Sequence, residues 1–234
     1  MAISFLHPQW GENRPIQGVL FDMDGLVLDS EVLYSRFWRE GCKFFGFDMS
    51  FQQSLRMRSL GRELGQQVLE AFFGPGIEYN TVRDKRIELM DAYIDAHGVA
   101  LKPGIRELLA FLKEQGIPAA ITSSASVENI RTNLSAHGLD TAFAALCSGR
   151  DTPHGKPEPD IYLHGAAVLG VNPKNCLALE DSPAGILSGY RAGCLPVMIP
   201  DLDQPDEETR KLLFAQADSL FDIIDLIQRQ NAHR

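Results

Sequence analysis

The chain has 234 residues, 44% hydrophobic and 23% charged, which suits one substantial globular domain or a core domain carrying a smaller insert. Its formal charge of −9 and pI near 5.1 exclude the basic surface on which nonspecific nucleic-acid binding depends. No apolar run approaches the length of a membrane span, and the first residues, where His7, Trp10 and Glu12 arrive early, do not read as a signal peptide. Cys42, Cys147, Cys176 and Cys194 match no zinc-binding spacing. Cys147 and Cys176 lie in apolar runs that suit buried, reduced thiols, and the cytoplasm is the expected compartment.

The first predicted element is a buried strand, Gly18-Val19-Leu20-Phe21, which stops abruptly at Asp22-Met23-Asp24-Gly25. Side chains alternate along a strand, so positions two apart face the same way, and Gly25 permits a sharp turn after them. Helical periodicity then holds for about seventy residues, over 31–46, 60–73 and 79–97, as in Leu33, Phe37, Phe44 and Ile87, Met90, Ile94. Gly74-Pro75-Gly76 separates two of these helices. From Pro103 strands and helices alternate. A helix at 104–115 ending at Gly116 precedes a strand over 117–122. The helices at 126–136 and 159–169 precede strands at 143–147 and 176–179 respectively according to their place in the chain, the first helix leading to the first strand. A helix at 183–192 ending at Gly193 leads to a strand over 196–199, and Pro205-Asp206-Glu207-Glu208 opens a last structural tail.

That alternation predicts an α/β fold, a doubly wound parallel sheet with an inserted α-helical cap domain. The core comprises 1–30 and 99–234, and the cap 31–98. An insert leaving the C-terminal end of the first strand is expected to hang over the crevice where open α/β sheets bind ligands.

Four spots at predicted strand ends carry chemistry. Asp22 and Asp24 repel unless a cation or a proton divides their roles. An Asp-x-Asp-Gly turn could also belong to a calcium loop, but Leu26, Val27 and Leu28 stand where such a loop needs oxygen ligands. Thr122-Ser123-Ser124 offers hydroxyls and free amides for an anion; the alternative is that Ser124 or Ser126 merely caps the following helix. Lys156, in Gly155-Lys156-Pro157-Glu158-Pro159-Asp160, lies on a stiff backbone that suits a fixed ammonium, although a surface lysine in a turn reads the same way. Glu180-Asp181 presents two adjacent acids whose hard oxygens suit Mg²⁺, or which complement a helix dipole. None of the six histidines is assigned a catalytic role, and His154 reads as a solvated loop residue.

Taken in order, Asp22-Met23-Asp24-Gly25, Ser123, Lys156 and Glu180-Asp181 resemble the four motifs of the haloacid dehalogenase superfamily. The likeness is to its phosphatase and β-phosphoglucomutase-like branch with a helical cap, and it runs from about Gly18 to Leu226. The resemblance implies that Asp22 attacks phosphorus to form an aspartyl-phosphate, and that Asp24 first protonates the leaving oxygen and then activates water. It implies Mg²⁺ held by Asp22, the backbone carbonyl of Asp24 and Asp181, with Glu180 assisting directly or through water. Ser123, with Ser124 beside it, and Lys156 would hold the phosphoryl oxygens. Asp24, which a halide-displacing enzyme does not need, favours phosphoryl transfer over carbon–halogen cleavage.

β-Phosphoglucomutases share these motifs, so the cap has to separate the two activities. Mutases typically carry a histidine on the first cap helix where this chain has Tyr34, and an arginine in a Gly-x-x-Arg loop where this chain has Leu60-Gly61-Arg62-Glu63. Asp29-Ser30-Glu31-Val32-Leu33-Tyr34-Ser35 looks more like phosphatases of sugar phosphates and of pseudouridine 5′-phosphate, so hydrolysis of a small phosphorylated metabolite by a monomer is the expectation. Arg58, Arg62, Lys85 and Arg86 are the cap cations able to meet a substrate, with Arg62 the preferred one. A phosphate-binding regulatory protein on the same fold is the non-enzyme alternative, and retention of Asp22, Asp24 and both later acids speaks against it.

Overall fold

The computed structural model describes residues 4–5, 10, 14–58, 60–202 and 204–232; His7 and Glu12 lie outside them. The chain divides into two compact units, Met1–Leu28 with Leu101–Arg234, and Asp29–Ala100.

The first unit is built on a seven-stranded sheet. Its strands are β1 (Ser4–Phe5), β2 (Gly18–Phe21), β3 (Ala119–Ser123), β4 (Ala145–Ser148), β5 (Cys176–Glu180), β6 (Leu195–Met198) and β7 (Ala215–Gln216), in the order β1-β7-β6-β5-β2-β3-β4. Strands β2 to β7 run parallel, as expected, and β1 adds an antiparallel edge against β7. Strands β1 and β7 have two residues each, too few to leave a periodicity in the sequence. Successive strands β2, β3 and β4 step one way across the sheet, whereas β5, β6 and β7 return on the other side of β2. The strand order therefore reverses between β2 and β5, and open α/β sheets bind ligands beyond the carboxyl ends of the strands at such a reversal.

Helices α5 (Ile105–Glu114), α6 (Val127–Ser135), α7 (Asp160–Leu169), α8 (Pro183–Arg191), α9 (Glu207–Leu212) and α10 (Leu220–Asn231) cover the sheet. Helix α7 packs on β2, β3 and β4. The contact is close because α7 presents Gly165, where a Cβ would come within 2.8 Å of Thr122 Cγ2. Leu20, Ala120, Ala178, Ile161, Tyr162 and Ala166 form the apolar layer between them. Expected and observed ends differ by one or two residues; β3, for instance, runs from Ala119 through Ser123 where 117–122 was expected. All four cysteines are buried free thiols, and burial pushes Cys42 and Cys176 up to about 12.

The second unit is built of helices, α1 (Ser30–Phe44), α2 (Phe51–Leu55), α3 (Arg62–Phe73) and α4 (Tyr79–His97), with no strand among its described residues. Helices α1 and α4 lie against each other at Gly41, where a Cβ would be 3.2 Å from the Val82 carbonyl oxygen. Trp38, Cys42, Met57, Leu69, Ile77 and Val82 fill its core. Helix α2 was not expected. It is nucleated by a capping box in which Ser50 Oγ accepts from the Gln53 amide and Gln53 Oε1 accepts from the Ser50 amide. No helix among the described residues is long and apolar enough to cross a membrane.

Candidate active site

The register of the sheet assembles the site. Phe21 pairs with Ile121 of β3 and with Leu179 of β5, so one residue further on Asp22 lies level with Thr122 and Glu180. Each of these three stands two residues beyond a member of the layer packed on α7, namely Leu20, Ala120 and Ala178. The period of two therefore sends all three side chains to the α7 face. The Asp22 amide donates to the Leu179 carbonyl at 3.0 Å, and Thr122 Oγ1 donates to the Phe21 carbonyl at 3.1 Å, which fixes the end of β2 from both sides.

Asp24 follows in a tight loop. The amides of Val27 and Leu28 both donate to the Met23 carbonyl, and the Gly25 amide donates back to Leu28. Gly25 has a φ of +77°, the left-handed conformation that a side chain disfavours. Leu28 bridges to Leu101, so the loop is closed on the chain where it re-enters the core unit.

Lys156 reaches into this arrangement from the loop after β4. Its Nζ donates to Asp22 Oδ1 at 2.5 Å, to Glu180 Oε1 at 2.5 Å and to the Thr122 carbonyl at 3.1 Å. The sequence left open a solvated turn lysine; the side chain is only 10% exposed. Its loop is clamped to α8, since Ser188 Oγ donates to the Glu158 carbonyl and Arg191 pairs with the Glu158 carboxylate at 2.6 Å. The bond between Lys156 and Pro157 is cis.

Glu180 is fully buried and already accepts three hydrogen bonds. Lys156 and the Tyr162 hydroxyl, each at 2.5 Å, share Oε1, and Ser182 Oγ reaches Oε2 at 3.0 Å. Gly185 makes room for this carboxylate, because a Cβ there would fall 1.9 Å from Glu180 Cδ. Asp22, Glu180 and Asp181 each offer a carboxylate oxygen, all within 4.8 Å of one another. An all-oxygen, net anionic donor set of this size fits a hard divalent cation such as Mg²⁺.

Ser123, the buried last residue of β3, accepts from the Ala125 amide at 3.1 Å, while Ser124 is exposed. The capping role falls to Ser126, whose hydroxyl accepts from the Asn129 amide at the start of α6. Ser123 and Ser124 are thereby relieved of the capping alternative. His154 is exposed and contacts Asp160.

Electrostatics follow from one ammonium among several acids. Burial, the largest influence, pushes Asp22 up to about 8, and the Glu180 and Asp24 charges add to it; Lys156 opposes the shift and is outweighed. For Lys156 burial alone would act downward, but Asp22 and Glu180 overcome it and hold the amine above its ordinary range, firmly protonated. Burial, with Glu180 beside it, raises the Tyr162 hydroxyl well above its usual value, so it remains a donor. A carboxylate raised in the fold contributes stability that is fully present below its unfolded value, 3.8, and is lost as pH rises through about 8. Metal-free protein should therefore lose thermal stability over this window, and the loss should be smaller in Asp22→Asn. A cation must displace the Asp22 proton, so the midpoint gain from Mg²⁺ should grow from about pH 5 to about pH 8. Differential scanning fluorimetry with EDTA or Mg²⁺ measures both; an increment independent of pH would separate Asp22 from the cation.

In the second unit the candidate cations fare differently. Arg58 pairs with Glu31 at 2.6 Å, and Lys85 pairs with Glu88 at 2.6 Å. Arg62 is exposed at the first position of α3. Arg86 is buried, with its guanidinium 4.9 Å from the ring centroid of half-buried Tyr34 and 5.4 Å from that of Trp38. Its Nη1 meets the Met90 sulfur at 3.8 Å, and among the described residues its Nε has no hydrogen-bond partner.

Three groups that hydrogen-bond the cluster escaped sequence reasoning: the Tyr162 hydroxyl, the Ser182 hydroxyl and the Thr122 carbonyl. Tyr162 had an available signal, since a tyrosine on the buried face of a helix needs a polar partner for its hydroxyl.

A family model described as haloacid dehalogenase-like hydrolase matches residues 16–193. The chain belongs to that family. Among curated haloacid dehalogenase relatives, it is 32% identical over 190 residues to hexitol phosphatase B of Escherichia coli strain K12, covering 80% of this chain and 85% of that one. It is 30% identical over 203 residues to a probable pseudouridine-5′-phosphatase of Drosophila melanogaster, covering 84% and 87%. A haloacid dehalogenase family hydrolase from Deinococcus radiodurans R1, solved with bound phosphate and sodium, superposes with a TM-score of 0.78. It is 24% identical and covers 92% of this chain and 97% of its own, a likeness that concerns the fold.

Proposed function

We propose that this hydrolase is a Mg²⁺-dependent phosphatase that cleaves the monoester of a small polyhydroxylated metabolite, a sugar alcohol, sugar or nucleoside phosphate, through an aspartyl-phosphate. The observation that carries the reading is the Asp22–Lys156–Glu180 cluster at the β2/β5 reversal, with Asp181 adjoining it. Its ammonium answers two carboxylates, and Asp22, Glu180 and Asp181 together set acidic oxygens close enough for one hard cation.

Lys156 engages Asp22 Oδ1, which leaves Oδ2 to attack phosphorus in line. Asp24 gives its proton to the departing oxygen, then removes a proton from the water that attacks the phosphoenzyme and regenerates Asp22. Ser123 and Ser124 donate to the phosphoryl oxygens. Ser123 is suited to this because its oxygen accepts from the Ala125 amide and its own hydrogen is available to donate. Lys156 offsets the charge that the phosphoryl group brings next to Asp22. Asp22, the Asp24 carbonyl and Asp181 are the residues to hold Mg²⁺, with Glu180 assisting from behind; bound there, the cation screens carboxylate from phosphate.

Tyr34, where mutases have histidine, favours hydrolysis over isomerisation. The names of the two curated relatives point to polyol and nucleoside phosphates. A screen of hexitol, pentitol, glycerol and nucleoside monophosphates, with and without Mg²⁺, tests the reading. Conversion of β-glucose 1-phosphate with a bisphosphate primer, in the absence of phosphate release, would replace hydrolysis by mutase chemistry.

A further inference from the structure

A lysine ammonium rides on a flexible four-carbon stem and holds one position only when its acceptors are themselves held. Of the three acceptors of Lys156, only the Thr122 carbonyl is fixed by the backbone, in β3; Asp22, one residue past β2, and Glu180, the last residue of β5, answer it with carboxylates. The Glu180 carboxylate sits on the longer side chain, and three contacts prevent it from turning. Ser182 Oγ takes Oε2, Gly185 closes one side, and the Tyr162 hydroxyl takes the Oε1 atom that Lys156 also uses. The ring of the same tyrosine lies 5.2 Å from Lys156 Nζ, within cation–π range. Tyr162 is wholly buried, so no water replaces its hydroxyl. A phenylalanine would fill the same apolar layer; the hydroxyl is what the layer does not require.

The geometry points to Tyr162 as a positioning residue that acts through Glu180. Its hydroxyl fixes the Glu180 carboxylate, and that carboxylate, with the tyrosine ring, aims the Lys156 ammonium at Asp22 and at a phosphoryl group bound beside it. This assignment rests on the phosphatase reading above. Without the hydroxyl, Glu180 Oε1 is answered by Lys156 alone and draws the ammonium toward itself. The loss then falls on the step in which charge develops at phosphorus, rather than on the encounter with substrate or cation.

The test is a double-mutant cycle on the full chain with p-nitrophenyl phosphate, together with Mg²⁺ affinity by calorimetry. In Tyr162→Phe, kcat should fall about tenfold, the scale of a lost hydrogen bond to a charged group, with KM and the Mg²⁺ dissociation constant within about twofold of wild type. The Tyr162→Phe/Glu180→Gln chain should turn over no more slowly than Glu180→Gln alone, because the neutral amide no longer aims the ammonium and fixing it in place gains nothing. Replacing Tyr162 by 4-aminophenylalanine, which returns a donor to the same place, should recover most of the lost kcat. This variant also carries the test if the phenylalanine chain does not fold, since it should then stay within a few-fold of wild type. Wild-type kcat in Tyr162→Phe, multiplicative losses in the double variant, or an aminophenylalanine chain with no more than a tenth of wild-type kcat overturns the assignment. Absence of Mg²⁺-dependent turnover in the wild type would instead overturn the phosphatase reading itself.

Discussion

Asp22→Asn should release no phosphate from p-nitrophenyl phosphate above the rate without protein, a loss of roughly 10³–10⁶-fold for removal of a nucleophile. The fold should survive this change. Asp22 is pushed up to about 8 by burial and by its acidic neighbours, so below that pH the metal-free chain already holds a neutral group there, and asparagine reproduces it. The expected result at neutral pH in EDTA is a thermal midpoint at or above that of wild type, with Mg²⁺ giving a much reduced gain. Loss of turnover accompanied by unfolding would say nothing about nucleophilicity, so midpoint and rate have to be measured on one preparation. Asp24→Asn should differ in kind. p-Nitrophenolate departs without a proton, so attack by Asp22 continues and only hydrolysis of the phosphoenzyme is slowed.

Lys156→Met should have the largest effect on stability. The ammonium is 10% exposed and lies 2.5 Å from both Asp22 and the fully buried Glu180. Removing one partner of a buried charge network costs about 3–5 kcal/mol, because it leaves buried charge uncompensated. The cost should be greater near pH 9 in EDTA, where Asp22 is ionised in the wild type and pairs with the ammonium, than near pH 5, where Asp22 already holds its proton and only Glu180 is left unanswered. Adding Glu180→Gln to Lys156→Met should recover part of the stability and none of the turnover. Chemical denaturation at the two pH values measures this. A loss below about 1 kcal/mol that does not vary with pH would mean that the three side chains do not form one electrostatic unit.

The acids and the lysine were legible in the sequence for a physical reason. A buried parallel strand is a nearly continuous apolar run, so the polar residue that ends it stands out, and strands of one sheet end at one edge. Asp22, Ser123 and Glu180 were all found that way. Lys156 needed its loop to be clamped by Ser188 and Arg191 of α8, contacts made about thirty residues further along the chain, so a turn lysine and a buried ammonium read alike. The inward orientation of Glu180 was hidden for a related reason. Only the packing of α7 on β2 and β3 brings the Tyr162 hydroxyl to it, and that hydroxyl reads as one more aromatic on a helix face. Helix α2 did carry a local signal, the Ser-x-x-Gln box at Ser50 and Gln53, but one turn and a half of helix generates no periodicity. The two-residue strands β1 and β7 carried none.

The central claim is that phosphoryl transfer proceeds through Asp22. Its most direct test is rapid acid quench of the Asp24→Asn chain turning over p-nitrophenyl phosphate with Mg²⁺, followed by peptide mass spectrometry. The expected result is one phosphoryl group on the peptide that carries Asp22, absent when Mg²⁺ is withheld and absent from the Asp22→Asn chain. Turnover with no adduct at any time point, or an adduct on a different residue, would contradict it.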